Sequence, residues 1–446
     1  GSGNLKQMSE LDLNFSEDLE VYDPEVKNKI SVSEGGVRGS KTFNYLIIPR
    51  KSGKYNLPKI EFSYFDLATN SYKTIKAPDF EITVTNTSGT VEKDSIVEKE
   101  TSEGKSGNFV SLNLKFVWIG LAILGTFGLG YLLFVFIFVP ILEFFIKPNK
   151  KNFNKDEEKI EKENKLYTYL LYAALPIQLI FLFLFFEAIK EPNLTTSELT
   201  GRILGMGIMC GVMGINVGHE LGHRNNRFDE FIGEILLLTS LNTHFLPYHN
   251  AGHHFNVATP EDAATARKNE IIYIFWIRSH MSSYLQAWKL ENGRMKREGR
   301  SWLHHQNRMI IYTLCNVFLV GLIYLFFGQF VIISFIAAAI SGIVLLETVN
   351  YIEHYGLLRN KKENGRYERV KRNHSWNSDH QVGQALLFNL SRHSDHHYNG
   401  AKHYQLLKSL PESPQMPTGY PGMMLLSLFP PLWFLVMNKK LKKLSK

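Results

Sequence analysis

The sequence has few cysteines and lacks the signatures of a self-contained redox enzyme. Among its 446 residues there are two cysteines, Cys210 and Cys315, and each stands alone in an apolar run. A cysteine-ligated zinc site or iron–sulfur cluster needs about four such residues, so both are excluded. The sequence has no Gly-x-Gly-x-x-Gly segment for a nicotinamide or flavin. Any redox chemistry therefore needs other ligands, and its electrons must come from outside the chain.

Positive charge is in excess but unevenly distributed. The formal net charge is +8, with seven lysines between Lys147 and Lys165 and five between Lys439 and Lys446. A basic protein can bind nucleic acid, but these lysines lie beside apolar segments. Lysines in that position mark the cytoplasmic side of a membrane protein. We therefore expect a membrane protein with no nucleic-acid partner.

Three regions differ in composition. Residues 1–87 contain alternating apolar and polar runs, such as 43–48 and 59–64, separated by turn residues, which predicts a small immunoglobulin-like β-sandwich. Residues 88–112 are rich in Glu, Lys, Ser and Gly and predict a flexible linker. Residues 113–446 carry apolar stretches of membrane length and predict an integral-membrane domain.

The apolar stretches predict a membrane all-α fold of about six transmembrane helices. The candidates are 113–146, 166–188, 202–218, 309–328 and 330–350. The first is too long for one span of ~20 residues. It is either two short helices broken at 125–130 or one helix followed by an interfacial piece after Pro140. The stretch Tyr420–Met437 contains three prolines and is expected at the membrane interface.

The lysines also predict which side of the membrane each helix end faces. If Lys147–Lys165 is cytoplasmic, the next helix leaves the cytoplasm and 202–218 returns to it. The last two candidate helices, 309–328 and 330–350, likewise leave the cytoplasm and return to it. Both helix pairs therefore deliver a histidine, His219 or His354, to the cytoplasmic face. Two helices within 113–146 would leave the sandwich cytoplasmic, whereas a single crossing would place it outside; we favour the two helices.

All sixteen histidines lie between His219 and His403; eight of them fall in three clusters at helical spacing, and His354 stands alone at the end of an apolar stretch. Residues four apart share a helix face, so His249 and His253 are expected at one metal, with His254 turned by ~100° toward a second. The nine imidazoles exceed the needs of one ion and predict two, of iron, zinc or copper. The candidate ligands are His219, His223, His249, His253, His254, His354, His393, His396 and His397.

From about Phe134 to Met437 the chain resembles the membrane-bound alkane 1-monooxygenases, which are histidine-rich di-iron enzymes related to desaturases. The element Asn-Tyr-Ile-Glu-His-Tyr-Gly at 350–356 points to the alkane branch. Tyr248 and Ala251 depart from the family pattern, which has glutamate and arginine there. Separately, residues 11–87 resemble an immunoglobulin-like repeat of bacterial aerotolerance membrane proteins. The other segments that match the alkane enzymes are 219–224, 249–254, 257–262, 373–378, 392–397 and 419–422.

The resemblance implies terminal hydroxylation of n-alkanes, with O2 as co-substrate, at two non-haem iron ions. The alkane would come from the lipid phase, and a rubredoxin with its reductase would supply electrons. The family also implies a multi-pass protein of the bacterial inner membrane with its active site facing the cytoplasm. Basic stretches at 294–300 and 361–372 are candidate docking sites for an acidic donor.

Carboxylates near the histidines are candidates for a supporting role. Glu220, Glu353 and Asp395, together with Glu347, lie close enough in sequence to accept the second N–H of a ligand histidine. Such a bond orients the ring and fixes which nitrogen faces the metal. We assign the first three as candidate catalytic residues.

Other functions remain open at this point. Another enzyme of the same family, such as a fatty-acyl or xylene hydroxylase or a desaturase, would use the same ligands. An intramembrane zinc protease is a different possibility, because His219-Glu220-Leu221-Gly222-His223 fits His-Glu-x-x-His with Glu220 as general base. That function leaves most of the clustered histidines unexplained. The sandwich alone suggests a non-enzymatic interaction role for residues 1–87.

Overall fold

The structure of the protein is a computed structural model, and it divides into two compact units, Gly1–Ser102 and Glu103–Lys446. The predicted linker at 88–112 and the first part of the predicted span 113–146 lie outside the described residues. The residues that the structure describes are 19–21, 25–33, 36–45, 47–49, 53–57, 60–66, 69–78, 80–84 and 129–444.

The described part of the first unit consists of short antiparallel strand pairs. Alternating polar and apolar residues form these strands, and opposite charges face each other across them: Lys76 pairs with Glu61 at 2.8 Å. A small β unit is therefore confirmed, while its packing as a sandwich stays a prediction. The pairs are β1 (Leu19–Val21) with β4 (Ile47–Pro49), β2 (Glu25–Ser33) with β3 (Gly36–Asn44), β5 (Gly53–Asn56) with β8 (Glu81–Val84), and β6 (Glu61–Asp66) with β7 (Ser71–Lys76).

The described part of the second unit, 129–444, is mainly helical. Within it, three helical stretches contain π-helical turns, at Phe134–Phe138, Cys210–Val217 and His249–His253. The α-helices are α1 (Leu129–Leu133), α2 (Val139–Phe145), α3 (Lys155–Glu163), α4 (Leu166–Ile189), α5 (Thr196–Met209), α6 (Gly218–Gly222), α7 (Arg227–Leu238), α8 (Phe245–Tyr248), α9 (His254–Asn256), α10 (Ile272–Arg297), α11 (Arg308–Phe327), α12 (Gln329–His354), α13 (Gln381–Leu386), α14 (His393–Tyr398), α15 (Tyr420–Ser427) and α16 (Pro430–Leu444).

Four helices of the described residues are long and apolar enough to cross a membrane: Leu166–Ile189, Thr196–Gly222, Arg308–Phe327 and Gln329–His354. Each is at least 20 residues long, which corresponds to ~30 Å of helix. They match four of the predicted spans, with ends shifted by up to six residues. The protein is therefore a multi-pass membrane protein.

Short connections make these helices antiparallel neighbours. At the first connection Thr195 caps Thr196–Met209 by accepting the N–H of Glu198. At the second, Gly328 alone separates α11 from α12 and has φ +82°, a conformation that glycine adopts without strain. Chain reversal at both points returns Gly222 and His354 to the membrane face from which the pairs started.

A close glycine contact aligns the two helices that end at the histidines. A Cβ built on Gly207 would lie 2.6 Å from Cβ of Ser341, and one built on Gly342 would lie 2.8 Å from Cβ of Cys210. Only the missing side chains allow this approach, as in other membrane helix pairs. Gly207 and Gly342 each lie twelve residues before a candidate ligand, His219 or His354. The contact therefore brings both ligands to the same depth.

The remaining apolar stretches form shorter helices. The described part of 113–146 is helical from Leu129 to Phe145 and continues through Pro140, so both predicted arrangements of this stretch in the membrane stay predictions. Pro140 lies just after the π turn Phe134–Phe138, where the backbone hydrogen bonds already depart from the α-helical pattern. The stretch Tyr420–Met437 forms α15 and most of α16, and neither is long enough to span.

Candidate metal centre

The first histidine pair closes the second spanning helix. His219 lies in α6 and His223 caps it, so the four-residue spacing places both rings on one side. Their Nε2 atoms are 2.9 Å apart. Two ring nitrogens this close can share one ion.

The second cluster departs from α-helical geometry. His249–His253 forms a π turn in which the N–H of His254 donates to the carbonyl of His249, five residues back. The wider turn places residues five apart on one side, so Nε2 of His254 lies 3.0 Å from Nε2 of His249. The predicted pairing of His249 with His253 is therefore wrong, and His253 is the ring that turns to the second group of histidines.

The fourth cluster contributes to both groups. In α14, His396 points to the first group, with Nε2 3.1 Å from Nε2 of His219. His393 and His397, four residues apart, point to the second, where their Nε2 atoms lie 3.1 Å from His354 and 3.2 Å from His253. The structure thus brings together all nine predicted ligands.

The nine rings form two groups, each with its donor atoms within 4.8 Å of one another. Neighbouring ligands of an octahedral ion at ~2.1 Å are about 3.0 Å apart, which is the spacing found here. Hydrogen bonds alone cannot explain it, because a neutral imidazole has a single N–H. The donor set therefore fits a non-haem metal centre. The five-histidine group is His219, His223, His249, His254 and His396; the four-histidine group is His253, His354, His393 and His397.

Burial keeps the rings neutral, which is the form that binds metal. It lowers the pKa of His254 to about 3 and that of His249 well below the usual value, and neighbouring histidines add to the effect. Burial likewise lowers the pKa values of His393, His396 and His397. The site can therefore accept cations without first losing protons at neutral pH.

One carboxylate that supports a ligand was not singled out from the sequence. Asp262 Oδ2 lies 2.9 Å from Nδ1 of His253 and also accepts a hydrogen bond from Thr265 Oγ1. Tyr248, one of the two departures from the family pattern, donates to Asp262 Oδ1 at 2.6 Å. Burial would raise the pKa of Asp262, but His253, Tyr248 and Thr265 lower it to about 2. The sequence feature that points to Asp262 is the segment 257–262, which matches the family although it contains no histidine.

The carboxylates assigned from the sequence make other contacts. Glu220 Oε1 accepts the N–H of Tyr404, and Asp395 Oδ2 accepts that of Lys408 and pairs with Lys402 at 2.5 Å. Neither contact is the expected one with an outer histidine nitrogen. Both instead attach the 402–408 segment to the helices that carry ligands.

Glu353 lies on the inner side of the four-histidine group. Its Oε2 is 3.1 Å from Nε2 of His393, the nitrogen that faces the group, and its Oε1 accepts the hydroxyl of Tyr420 at 2.7 Å. Glu347 receives an amide hydrogen bond from Asn350 at 3.3 Å. Glu353 is therefore the carboxylate nearest to the donor atoms of the four-histidine group among those assigned from the sequence.

Family comparisons agree with this geometry. The sequence profile of the fatty acid desaturase family matches residues 199–426, which contain all nine histidines. The profile of the BatD DUF11-like domain matches residues 1–84, in agreement with the aerotolerance resemblance. The metal centre and the β unit therefore belong to separately matched regions.

Named relatives narrow the family. Alkane 1-monooxygenase 2 of Pseudomonas aeruginosa is 38% identical over 311 residues, covering 69% of this chain and 82% of that protein. An alkane 1-monooxygenase of Ectopseudomonas oleovorans is 38% identical over 294 residues, which cover 65% of this chain and 73% of that protein. A xylene/toluene monooxygenase hydroxylase component of Pseudomonas putida is 28% identical over 271 residues, which cover 60% of this chain and 72% of that protein. The chain therefore belongs to the alkane 1-monooxygenase branch of the fatty acid desaturase family.

Proposed function

We propose that the protein hydroxylates n-alkanes at the terminal carbon. In this reaction the alkane, O2, two electrons and two protons give a primary alcohol and water. The observation that carries the proposal is an apolar cavity between the second and fourth spanning helices and the shorter helices α13 and α15, whose wall includes Glu353, beside the four-histidine group. It supports a route for a lipid-soluble chain to the metal centre.

Two irons are the metals that we infer. When bound, they would supply the oxygen activation that attack on an unactivated C–H bond needs, and redox-inert zinc cannot supply it. The five- and four-histidine groups would each hold one ion. The chain's own task is to fix the rings, through contacts such as that between Asp262 and His253.

The cavity has the character of a hydrocarbon site. The space among its lining residues amounts to about 830 Å³, a figure that includes the open mouth and the gaps between side chains. Leu345 lies eight residues before Glu353 on α12, so the lining extends about 12 Å along the helix, the reach of an extended chain of roughly ten carbons. Apolar side chains line most of it, including Val135, Phe136, Ile208, Val212, Leu345 and Leu386.

Glu353 is the residue that we place at the junction of the cavity and the metal centre. It is the acidic side chain among the residues that line the cavity. Tyr420, also in the lining, donates to it and fixes its orientation. The pair would hold the chain end beside the four-histidine group and present a carboxylate to the reacting region. Glu220 and Asp395 would act as positioning residues through their contacts with 402–408.

The cellular setting that we propose follows the family and the lysine pattern. The protein would reside in the bacterial inner membrane with about six spans, two of them formed by 113–146, and its histidines would face the cytoplasm. A rubredoxin, reduced by its reductase, would deliver the two electrons one at a time.

Metal and product analysis of the full-length protein in lipid nanodiscs tests this function. We expect about two irons per chain and a primary alcohol from a medium-chain n-alkane when reduced carrier and O2 are supplied. An unsaturated or fatty-acyl product with two irons would replace alkane hydroxylation by another activity of the same family. One zinc with cleavage of a membrane peptide would instead support the protease, for which five converging imidazoles are unsuited.

A further inference from the structure

We propose that the hairpin Arg359–Arg372, together with the exposed ring of Phe255, forms the docking surface through which an acidic one-electron carrier reduces the metal centre. This inference rests on the proposed function, because that reaction requires two external electrons per turnover. It assigns the carrier to one of the two basic stretches of the sequence.

The hairpin is a built and strongly basic element. Lys362 N–H donates to the carbonyl of Arg366 at 2.8 Å, and Gly365, with φ +79°, forms the turn between them. Residues 359–372 contain seven Lys or Arg and two Glu. Lys361, Lys362 and Arg366 are exposed, and none of them forms an ion pair with any residue that the structure describes. Their charge is therefore available to an acidic partner.

Two arginines attach this hairpin to residues that directly follow metal ligands. Arg359 Nη2 donates at 2.8 Å to the carbonyl of Phe255, the residue after His254. The guanidinium of Arg372 stacks 4.5 Å from the ring centre of Tyr398, the residue after His397. The hairpin therefore borders both histidine groups.

Phe255 provides the contact point itself. Its side chain is 77% exposed, although it adjoins His254, whose Nε2 lies 3.0 Å from Nε2 of His249. An exposed aromatic ring offers apolar area that a docked partner can bury. A carrier packed on this ring would be one residue away from a ligand of the five-histidine group, which gives electrons a short path.

In the second basic stretch, 294–300, two of the four basic residues are paired with acids. Arg294 pairs with Glu291 at 2.7 Å and Glu298 at 3.2 Å, and Arg300 pairs with Glu298 at 2.7 Å. These acids neutralise much of its charge. Among the described residues, the side chains of Arg294 and Arg300 bond to Glu291, Glu298 and Gln306 and to no residue that adjoins a proposed ligand. We therefore assign docking to the hairpin.

The electron count sets how the surface is used. Two carriers, each oxidised by one electron, must dock in succession for each alkane converted to alcohol, while two protons are taken up and one oxygen atom leaves as water. The first carrier must leave before the second binds. A surface of moderate, salt-sensitive affinity suits that sequence better than a large apolar interface.

The test uses the full chain in nanodiscs, a purified acidic rubredoxin as the probe, and two charge-matched double variants. We expect K361E/K362E to weaken carrier binding about tenfold at low salt and to flatten its salt dependence, because two exposed charges are reversed. K296E/R297E, which makes the same charge change on the other stretch, should bind within about twofold of the unaltered protein. Phe255→Ala should slow carrier-driven reduction of the metal centre.

Outcomes of this test separate the two proposals. Equal losses in both double variants, a loss confined to K296E/R297E, or normal binding by K361E/K362E would overturn the docking assignment. A chemical reductant that drives hydroxylation in the K361E/K362E variant as well as in the unaltered protein would show that its site is intact. If the unaltered protein makes no alcohol with either electron source, the proposed function fails instead, whatever the binding result.

Discussion

Asp262 has its carboxylate held by three side chains, so both its charge and its position are fixed. His253, Tyr248 and Thr265 all contact it within 2.9 Å. A negative oxygen beside Nδ1 keeps the proton on that nitrogen and leaves the lone pair of Nε2 for the metal. Asp262 therefore determines which ring nitrogen of His253 faces the four-histidine group.

Replacing this aspartate should affect one metal selectively. We expect Asp262→Asn to weaken metal binding at the four-histidine group about 10–100-fold, because the amide is a poorer acceptor for the ring proton, and to leave the five-histidine group loaded. Iron content during titration with a chelator would measure this. Glu261→Gln, at an exposed neighbouring carboxylate, is the matched control. Loss of both irons, or of neither, would contradict the assignment.

The role of Asp262 lay beyond sequence reasoning for a conformational reason. Asp262 lies nine positions after His253, and the intervening backbone turns back through Ala258, whose φ is +58°. A non-glycine residue rarely adopts that conformation. Helical spacing predicts that His219 and His223 share a face, but no such rule predicts which side chains meet across an irregular loop. The segment 257–262 therefore matches the family in sequence without revealing that Asp262 contacts His253.

The π turn at His249–His253 divides the ligands between the metals. In an α-helix, residues 249 and 253 would share a side, whereas here 249 and 254 do. The spans could be predicted because hydropathy is a local property of the chain. The turn could not, because a shift of one backbone hydrogen bond leaves composition and spacing unchanged and is settled by tertiary packing.

Paired substitutions test this division. His249→Ala/His254→Ala removes two ligands of the five-histidine group and should leave about one iron per chain, whereas His249→Ala/His253→Ala removes one ligand from each group and should weaken the binding of both ions. Metal analysis after gel filtration gives the result. If the His249→Ala/His253→Ala variant instead kept one tightly bound iron and the His249→Ala/His254→Ala variant were weakened at both ions, His249 and His253 would share one ion, as in an α-helix.

Gly211 lies where the π-helical part of the second spanning helix meets the cavity. A Cβ built there would lie 3.4 Å from Cδ1 of Leu345, an ordinary contact that the fold accepts. We expect Gly211→Leu to fill part of the cavity and reduce kcat/KM for the longest accepted alkane by about tenfold or more, with less effect on shorter chains. Gly205→Leu is the control, because nothing lies within 4 Å of a Cβ there. Equal effects on all chain lengths would argue against the cavity as the substrate site.

The two units of the whole molecule are chemically unequal. All nine proposed ligands lie in Glu103–Lys446, and none lies in Gly1–Ser102. We expect deletion of residues 1–102 to leave iron content and alkane turnover within about twofold, because the second unit carries its own core. Turnover and iron analysis of the truncated protein in nanodiscs would measure this. Normal iron with lost turnover would give the β unit a part in catalysis or docking.

The position of the cavity among membrane helices has a consequence for how the enzyme's rate responds to its surroundings. Its walls come from α12, from the π-helical turns at Phe134–Phe138 and Cys210–Val217, and from the shorter helices α13 and α15. On the proposed entry of the alkane from the lipid phase, the effective concentration of the substrate is its mole fraction in lipid. Added inert phospholipid would dilute the alkane in two dimensions and slow the reaction, even when the total amount of alkane per volume is unchanged.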